Sequence, residues 1–401
     1  MATKRYKYVI VGGGLAGTSA ASGIRERDAQ GSILLIGREE ELPYDRPPLT
    51  KQLWFGRKKV DDIFLHDRKY YAQTGIELRL ATTIWTLDPR HKLVQDGTGD
   101  SYQFEKLLLA TGGEPRRLSI PGGDLPGIVY YRTLADYRRL REAATQGTSA
   151  LVIGGGFIGS EIAAGLQANG VKVTLLFPDP YLCARIFPAP LAQAIQTDYA
   201  RRGVEILAED QPVEIVHDNG KYTVRTRGGR NLTSDLVIAG IGIAPELKLA
   251  TAAGLETGNG IMVNEYLQTS EPDIYAAGDN AFFHYVALEQ RTRVEHWDNA
   301  LNQGKCAGRN MAGAREPYSY MPFFFSDLFE FGYEAVGELD ARLPTFADWQ
   351  KENHTGVIYY LRDGRVAGVM LCNVWEKVER AREMIRGREQ WTRDSLRGAI
   401  R

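Results

Sequence analysis

Cysteine is scarce in this chain of 401 residues, which contains three. They are Cys183, Cys306 and Cys372, so they are widely separated and odd in number. This pattern excludes a disulfide framework and a cysteine-based zinc site. Because no Cys-x-x-Cys pair occurs anywhere in the sequence, a redox-active dithiol of that type is excluded as well.

Long apolar runs and an excess of one charge are also lacking. The apolar runs are short and interrupted by glycine, whereas a membrane-spanning helix needs about 20 apolar residues. With 49 Lys and Arg against 50 Asp and Glu, the formal net charge is -1, so no strongly basic nucleic-acid-binding protein is expected. The N-terminal residues contain neither an apolar signal core nor an Arg- and Ser-rich leader, which predicts a cytoplasmic protein. The length predicts two or three globular domains of about 150 residues.

Glycine, by contrast, is abundant, with 43 residues. Its clearest pattern is a Gly-x-Gly-x-x-Gly motif that occurs twice, each time after an apolar run and before an alanine-rich stretch. Each helical stretch is followed by a second apolar run, so the pattern predicts two βαβ units. The six glycines are Gly12, Gly14, Gly17, Gly154, Gly156 and Gly159.

The two glycine motifs predict two dinucleotide-binding sites. The first glycine allows a tight turn, the second lets the backbone approach a pyrophosphate, and the third permits close packing of helix and strand. The pyrophosphate would then bind the free N–H groups at the helix N-terminus. The residues between the second and third glycines belong to the predicted contacts, and they are Leu15, Ala16, Phe157 and Ile158.

The residue type about 20 positions after each motif indicates which dinucleotide binds, because an acid there holds the ribose hydroxyls. Asp179 follows Gly159 by 20 positions, and no Lys or Arg stands at 177–182 to accept a 2′-phosphate. This favours NADH over NADPH. In the first unit Arg38 occupies the corresponding place and Glu39 follows it. Either Glu39 takes the role of the acid or the ribose is held differently.

Two further strand ends show a resemblance to a known superfamily. One is the stretch 107–113, Leu-Leu-Leu-Ala-Thr-Gly-Gly, and the other is 274–279, Ile-Tyr-Ala-Ala-Gly-Asp. Together with the double glycine motif, they resemble the two-dinucleotide flavoprotein disulfide reductases. The resemblance implies FAD as a cofactor, with Asp279 on the ribityl chain of the flavin. It adds four residues at the two turns to the FAD site: Ala110, Thr111, Gly112 and Gly278.

Within that superfamily the sequence is most similar to apoptosis-inducing factor and to the ferredoxin reductases of oxygenase systems. The stretch 42–51, Leu-Pro-Tyr-Asp-Arg-Pro-Pro-Leu-Thr-Lys, resembles the segment beside the flavin ring in both groups, and five later stretches favour apoptosis-inducing factor. The implied fold is α/β, with two Rossmann-like domains and a C-terminal α+β domain. We expect an FAD domain at 1–115 and 242–320, an inserted NAD domain at 116–241 and the third domain at 321–401.

The same resemblance implies roles for individual residues. Arg46, Lys51 and Arg132 would contact FAD, and Ile84 would do so near the adenine. Glu161 would pair with Lys51 near the nicotinamide, and Asp179 and Arg185 would hold the adenosine half of NADH. The space between flavin and nicotinamide would be lined by Gly242, Glu295, His296, Phe325 and Glu334, and Trp297 stands where the mitochondrial proteins have a second histidine. Lys51, Glu161 and His296 are the predicted catalytic residues, and no metal is expected.

The predicted activity is hydride transfer from NADH to FAD and on to an external acceptor such as a ferredoxin or a quinone. The cofactors carry this chemistry, and the missing dithiol means that electrons leave the flavin directly. An alternative is a redox-responsive interaction protein that forms an NADH-dependent charge-transfer complex and a dimer. Against its full form, 13 residues separate Asp340 from His354, so the long mitochondrial insertion is missing. A third possibility, a dinucleotide binder without flavin, rests on Arg38. We expect no nucleic acid and no membrane span.

Overall fold

The computed structural model describes residues 3–400. Within this range the chain divides into two compact units, and each unit is made of three separate stretches. The first unit contains the residues up to Asp45, Val60–Glu114 and Pro245–Phe324, and the second contains Arg46–Lys59, Pro115–Ala244 and the residues from Phe325 onward. Each unit therefore contains one of the two glycine motifs.

A seven-stranded sheet forms the centre of the first unit. Its parallel part includes the apolar run before the first glycine motif, whose last four residues are all buried. Strands covered on both faces are apolar without alternation, which explains this run. In spatial order the strands are Ile76–Arg79, Ile33–Ile36, Thr3–Val11, Ser101–Leu109, Leu93–Asp96 and Ile84–Asp88, with Ile274–Ala276 also paired to Ser101–Leu109.

The helices of the first unit include two that pack closely through small residues. A Cβ on Gly304 would lie 2.2 Å from the carbonyl oxygen of Ala16, and one on Gly308 would lie 2.0 Å from that of Ala20. The remaining elements of this unit are the helices Leu15–Arg25, Arg68–Gln73, Lys248–Ala252 and Trp297–Met311, the 3-10 turns Val60–Ile63 and Val286–Leu288, and a small sheet of Ile261–Met262, Ala281–Tyr285 and Gln290–Thr292.

The second unit contains a parallel sheet of five strands, with the strand before the second glycine motif at its centre. In spatial order these strands are Glu205–Leu207, Lys172–Leu176, Ser149–Ile153, Leu236–Ala239 and Val129–Tyr130. The accompanying elements are the helices Leu134–Ala143, Phe157–Ala168 and Ala189–Arg201, the 3-10 turn Pro47–Leu49, and an antiparallel sheet of Pro212–Asp218, Lys221–Thr226 and Asn231–Ser234.

The C-terminal part of the chain forms a five-stranded antiparallel sheet. Its central hairpin turns at Asp363 and Gly364, whose φ angles are 51° and 75°. Two positive φ angles are typical of a two-residue hairpin turn, which explains the Asp-Gly pair. In spatial order the strands are Phe323–Leu328, Phe331–Gly337, Arg365–Cys372, Thr355–Arg362 and Thr345–Lys351, and the helices Val378–Gly387 and Arg393–Leu396 follow.

The predicted fold class is confirmed: the protein is α/β, with two glycine-rich βαβ units in parallel sheets and a C-terminal α+β part. Two strands of three residues, Gly113–Pro115 and Ile243–Pro245, lie where the chain passes from one unit to the other. The finer division into three domains with the stated boundaries stays a prediction. Among residues 3–400, no helix combines the length and the apolar composition needed to cross a membrane.

Candidate cofactor and redox site

The glycine turn of the first unit has one open position and two closed ones. Gly12 has a φ of 132°, and a Cβ on it would lie 2.0 Å from the carbonyl oxygen of Ala110. A Cβ on Gly17 would lie 2.0 Å from the carbonyl oxygen of Gly12. A Cβ on Gly14 would meet nothing within 4 Å. Gly14 is also the N-cap of the helix Leu15–Arg25 and lacks a side-chain cap, so open space lies directly before the helix N-terminus.

The glycine turn of the second unit has the same geometry. Gly154 has a φ of 120°, with the carbonyl oxygen of Gly240 at 2.4 Å from a built Cβ. Gly159 would place a Cβ 1.9 Å from the carbonyl oxygen of Gly154, whereas Gly156 has nothing within 4 Å. The first N–H groups of a helix have no partner within the helix, so the open position suits a pyrophosphate. Both turns therefore fit one dinucleotide each.

A buried amide lies at the strand ends beside the first glycine turn. The side-chain nitrogen of Asn280 donates to the hydroxyl of Thr111 at 2.9 Å and to the carbonyl of Leu109 at 3.2 Å. Asn280 is 0% exposed, and its side-chain oxygen has no hydrogen-bond partner among the described residues. A buried acceptor without a donor is costly, so this atom marks a place for a bound donor. Sequence reasoning missed Asn280, although it directly follows the predicted Gly278–Asp279 pair.

Arg38 and Glu39 lie after the strand next to the first glycine turn. Arg38 is exposed and forms an ion pair with Glu114. Glu39 is half-buried and accepts a hydrogen bond from the hydroxyl of Tyr44 at 2.5 Å. The two neighbours therefore have different partners. Their roles toward a ribose stay predictions.

Arg293 links two of the predicted site residues of the first unit. Its guanidinium forms an ion pair with Glu295 and donates to the backbone carbonyl of Asp279 at 2.9 Å. The side chain of Arg293 is 8% exposed. A buried guanidinium with fixed partners holds the two loops that bear these acids in one arrangement. The sequence offered no signal for this residue because its partner Asp279 lies 14 positions away.

His296 is stacked on an aromatic ring at the start of the helix Trp297–Met311. The ring centroids of His296 and Phe324 are 4.2 Å apart, with 13° between their planes. Burial lowers the pKa of His296 to about 4, while the negative charge of Asp279 opposes this shift. His296 is thus neutral at physiological pH. The neighbouring Trp297 donates from its indole nitrogen to the Asp45 carboxylate at 2.7 Å.

The second unit contains a buried ion pair between Lys51 and Glu161. The Lys51 ammonium lies 2.7 Å from the Glu161 carboxylate, and the side chains are 8% and 4% exposed. The hydroxyls of Thr50 and Ser326 also donate to this carboxylate. The resemblance implied contact between Lys51 and Glu161, and the structure has that contact. Neither hydroxyl donor was predicted, although Thr50 lies within the stretch 42–51 that resembles the segment beside the flavin ring.

Aromatic and acidic side chains lie beside this pair. The Lys51 ammonium is 5.7 Å from the ring centroid of Phe325. Asp327, two residues along the same strand, has a raised pKa because of burial. The charge of Glu161 raises it further, and the charges of Lys51 and Arg57 lower it. The Lys51 cation thus lies in a partly desolvated region with an aromatic face and two acids.

The residues predicted to hold the adenosine half of NADH lie between the strand Lys172–Leu176 and the helix Ala189–Arg201 of the second unit. Asp179 is half-buried and follows the strand Lys172–Leu176, the parallel neighbour of the strand that leads into the glycine turn. Carboxyl ends of adjacent parallel strands share one sheet edge, so Asp179 and the turn lie at the same edge. Arg185 is exposed, and its backbone carbonyl accepts from Ala341 N–H at 2.9 Å. Gly242 has a φ of 92°.

The remaining predicted residues include Arg46, Ile84 and Glu334. The guanidinium of Arg46 donates to the backbone carbonyl of Arg132 at 3.0 Å. Ile84 is 9% exposed in its strand. Burial and the nearby charge of Glu376 raise the pKa of Glu334, and one Glu334 carboxylate oxygen has no hydrogen-bond partner in the described range.

The predicted site residues form two groups, one in each unit, and their contacts with cofactors stay predictions. The first unit contains Gly12, Gly14, Leu15, Ala16, Gly17, Arg38, Glu39, Ile84, Ala110, Thr111, Gly112, Gly278, Asp279, Glu295, His296 and Trp297. The second contains Arg46, Lys51, Arg132, Gly154, Gly156, Phe157, Ile158, Gly159, Glu161, Asp179, Arg185, Gly242, Phe325 and Glu334.

Known proteins are similar to this chain in sequence and in fold. Residues 6–304 match the family described as Pyridine nucleotide-disulphide oxidoreductase. The stretches 307–355 and 347–387 match the family described as Apoptosis-inducing factor, mitochondrion-associated, C-term. The matches together extend over most of the chain.

Individual relatives are similar over most of their length. Apoptosis-inducing factor 1, mitochondrial, of Dictyostelium discoideum is 34% identical, covering 95% of this chain and 78% of the relative. The 5,5'-dehydrodivanillate O-demethylase ferredoxin reductase subunit of Sphingobium sp. is 34% identical, covering 95% of this chain and 92% of the relative. The reductase in the covalent putidaredoxin reductase-putidaredoxin complex has a TM-score of 0.90 and 32% identity, covering 96% of this chain and 94% of that one.

Proposed function

The chain belongs to the pyridine nucleotide-disulphide oxidoreductase family and is an FAD-dependent NAD(P)H oxidoreductase, and from this premise we propose that it oxidises NADH and reduces a small iron–sulfur protein. The observation that carries the proposal is the pair of equivalent glycine turns, each with an open position before a helix N-terminus. One turn serves FAD and the other NADH. The first unit would hold FAD, and the second would hold the nicotinamide nucleotide.

Bound FAD supplies a hydride acceptor and a means of passing electrons on singly, so the protein needs no nucleophile of its own. The turn at Gly14 binds the FAD pyrophosphate, and Asp279 and Asn280 offer acceptors nearby. The turn at Gly156 binds the NADH pyrophosphate. Lys51, held by Glu161, provides a fixed positive charge at the nicotinamide end, where it orients the reacting groups and favours negative charge.

Asp179 supports the preference for NADH. A carboxylate at the sheet edge beside the glycine turn accepts hydrogen bonds from ribose hydroxyls and repels a 2′-phosphate. In Asp179→Ala we expect kcat/KM for NADH to fall about tenfold, corresponding to the loss of about 1.4 kcal/mol of binding, with little loss for NADPH. Asp218→Ala, an exposed acid of the same unit, serves as the matched control. Unchanged NADH kinetics in Asp179→Ala would contradict the ribose role.

The cysteines and the relatives both support an iron–sulfur protein as the electron acceptor. All three cysteines are free and buried, so no disulfide stands between the flavin and the acceptor. One relative is named a ferredoxin reductase subunit, and one similar structure is a reductase in complex with putidaredoxin. Direct transfer to a one-electron iron–sulfur carrier fits both facts.

The experiment that tests this proposal is anaerobic stopped-flow reduction of the purified flavoprotein by NADH and by NADPH, followed by turnover with a ferredoxin. Fast bleaching of the flavin band near ~450 nm with NADH, and rapid ferredoxin reduction, are the expected results. Protein that gains no flavin on reconstitution would contradict the proposal. Equally fast reduction of the flavin by NADH and by NADPH would contradict the preference for NADH.

The C-terminal match favours one second candidate, an NADH-responsive interaction protein like apoptosis-inducing factor. The stretch 341–353 consists mainly of the strand Thr345–Lys351, which leaves no long insertion for regulation. Slow reduction, a persistent long-wavelength absorption band and NADH-dependent dimerisation in sedimentation velocity would support this candidate over the reductase.

A further inference from the structure

The Glu161 carboxylate receives three hydrogen bonds from two other segments of the second unit. One oxygen accepts from the Lys51 ammonium at 2.7 Å and from the Ser326 hydroxyl at 2.5 Å. The other oxygen accepts from the Thr50 hydroxyl. Glu161 itself lies in the helix that begins at the second glycine turn. The carboxylate therefore joins that helix to the segment 46–59 and to the C-terminal sheet.

Burial makes the two hydroxyls important for the carboxylate. Thr50 is 5% exposed, Ser326 is 2% exposed and Glu161 is 3% exposed, so little water reaches this group. A buried charge must be paired and hydrogen-bonded to offset the loss of its hydration. Hydrogen bonds to an ionised group are shorter and stronger than neutral ones. The ammonium provides one of the three contacts to the carboxylate, and the two hydroxyls provide the other two.

Both hydroxyls are one residue away from a group involved with the Lys51 cation. Thr50 directly precedes Lys51, and Ser326 directly follows Phe325, whose ring centroid is 5.7 Å from the ammonium. A shift of either hydroxyl would therefore move the carboxylate relative to both the ammonium and the ring. In the observed orientation of the Glu161 side chain, all three donors reach the carboxylate.

We propose that Thr50 and Ser326 are positioning residues for hydride transfer, because their hydroxyls hold the Glu161 carboxylate and thereby fix the Lys51 ammonium. The inference rests on the function proposed above, in which Lys51 and Glu161 lie at the nicotinamide end. Neither hydroxyl forms or breaks a covalent bond. Each acts by reducing the number of positions that the cation can take, and reaction rates depend steeply on such alignment.

The test uses substitutions that remove a hydroxyl with little change of shape. Thr50→Val keeps the branched side chain, Thr50→Ser keeps the hydroxyl, and Ser326→Ala removes the second donor. The rate constant of flavin reduction at saturating NADH is measured by anaerobic stopped flow. We expect Thr50→Val and Ser326→Ala each to lower it about tenfold, with FAD content and the Kd for NADH within about twofold of wild type. Thr50→Ser should restore most of the rate.

A double-substitution cycle separates positioning from general structural damage. In Glu161→Gln the carboxylate charge is already gone, so adding Thr50→Val should change the rate less than about twofold. Ser234→Ala is the matched control, because this buried serine of the same unit donates only to a backbone carbonyl, that of Leu236 at 2.9 Å. It should leave the reduction rate unchanged.

The possible outcomes distinguish this inference from the proposed function. A wild-type flavoprotein that NADH does not reduce overturns the proposed function. Fast wild-type reduction with equally fast Thr50→Val and Ser326→Ala overturns the positioning role alone. Loss of rate in Thr50→Ser as large as in Thr50→Val, or full additivity with Glu161→Gln, overturns it too. If Thr50→Val does not fold, Ser326→Ala and its cycle with Glu161→Gln decide the matter.

Discussion

At the scale of single residues, buried charge in this protein depends on how many donors reach it. Glu161 has three donors, and its side chain is 4% exposed. Glu334 has one carboxylate oxygen without a partner in the described range and a raised pKa, caused by burial and by Glu376. Glu334 is only half-buried, whereas Glu161 is almost fully buried. The three donors to its carboxylate make Glu161 suitable for holding a cation.

The first prediction at this scale concerns His296 and pH. Its pKa is about 4 in the folded protein because of burial, against about 6.5 in an unfolded chain. Between these values the unfolded chain binds a proton that the folded protein does not, so stability falls as pH drops from about 6.5 to about 4. Because glutamine does not bind this proton, His296→Gln should remove the contribution of His296 to the pH dependence of stability. Melting temperatures at a series of pH values measure the change.

The control for this prediction is His284→Gln, because His284 is an exposed histidine of the same unit. The loss of melting temperature between pH 7 and pH 5 should become smaller in His296→Gln and should stay as in wild type in His284→Gln. Identical pH dependence in all three proteins would show that His296 binds its proton equally well in the folded and unfolded states.

Which site residues the sequence can predict depends on whether a local pattern identifies them. The glycines and Asp179 follow from fixed spacing within one βαβ unit, and Lys51 and Glu161 follow from family resemblance. Arg293 and Asn280 were not predicted from the sequence, because their partners are set by tertiary packing. Thr50 and Ser326 lie 276 positions apart in sequence (326 minus 50) and meet at one carboxylate. No local sequence pattern indicates that these two hydroxyls meet at one carboxylate.

At the scale of elements, the second and third glycines of each turn differ in the space around them. In both turns a Cβ on the third glycine would collide with the carbonyl oxygen of the first, at 2.0 Å for Gly17 and 1.9 Å for Gly159. The second glycine has free space instead. The third glycine is thus needed for the strand and helix to pack, and we propose that the second leaves room for the ligand.

The prediction at this scale compares these two positions in both turns. Gly14→Ala should fold with a normal melting temperature of the apoprotein but lose FAD affinity about tenfold or more, because the methyl group occupies the open position. Gly156→Ala should instead raise the Kd for NADH and leave FAD content normal. Gly17→Ala and Gly159→Ala should destabilise the fold by about 1–3 kcal/mol.

Flavin absorbance, NADH titration and thermal unfolding of the four variants give the measurements, and each turn serves as the control for the other. Loss of FAD in Gly156→Ala, or a normal melting temperature in Gly17→Ala, would contradict the assignment. The sequence predicted these turns because strand, glycines and helix are contiguous. It did not predict that Gly304 and Gly308 allow one helix to pack closely on another, because that contact joins elements far apart in the chain.

At the scale of the whole molecule, the order of the motifs along the chain predicts the fold. The order of the motifs along the chain puts the second βαβ unit between two stretches of the first compact unit, and both parallel sheets are present. The segment 46–59, however, belongs to the second compact unit although it lies within the first predicted domain range. It carries Lys51 to Glu161, a contact that sequence proximity does not predict. The domain boundaries therefore stay a prediction.

The last prediction concerns the route of electrons through the whole molecule. Burial raises the pKa of Cys183 to about 12 and that of Cys306 to about 11, and it raises the pKa of Cys372 as well. Thiolates are the reactive form, so all three thiols are unreactive near neutral pH. We expect native protein to take up less than one N-ethylmaleimide per chain and to keep its NADH-dependent turnover with a ferredoxin.

Mass spectrometry of native and urea-unfolded samples provides the measurement and its control, since the unfolded chain should take up three labels, one per cysteine. Turnover is then measured on the labelled native protein. If activity were lost in proportion to labelling of one cysteine, a thiol would be part of the electron path. Retained activity would leave direct transfer from the flavin to the acceptor, which is the route that three separate, buried thiols favour.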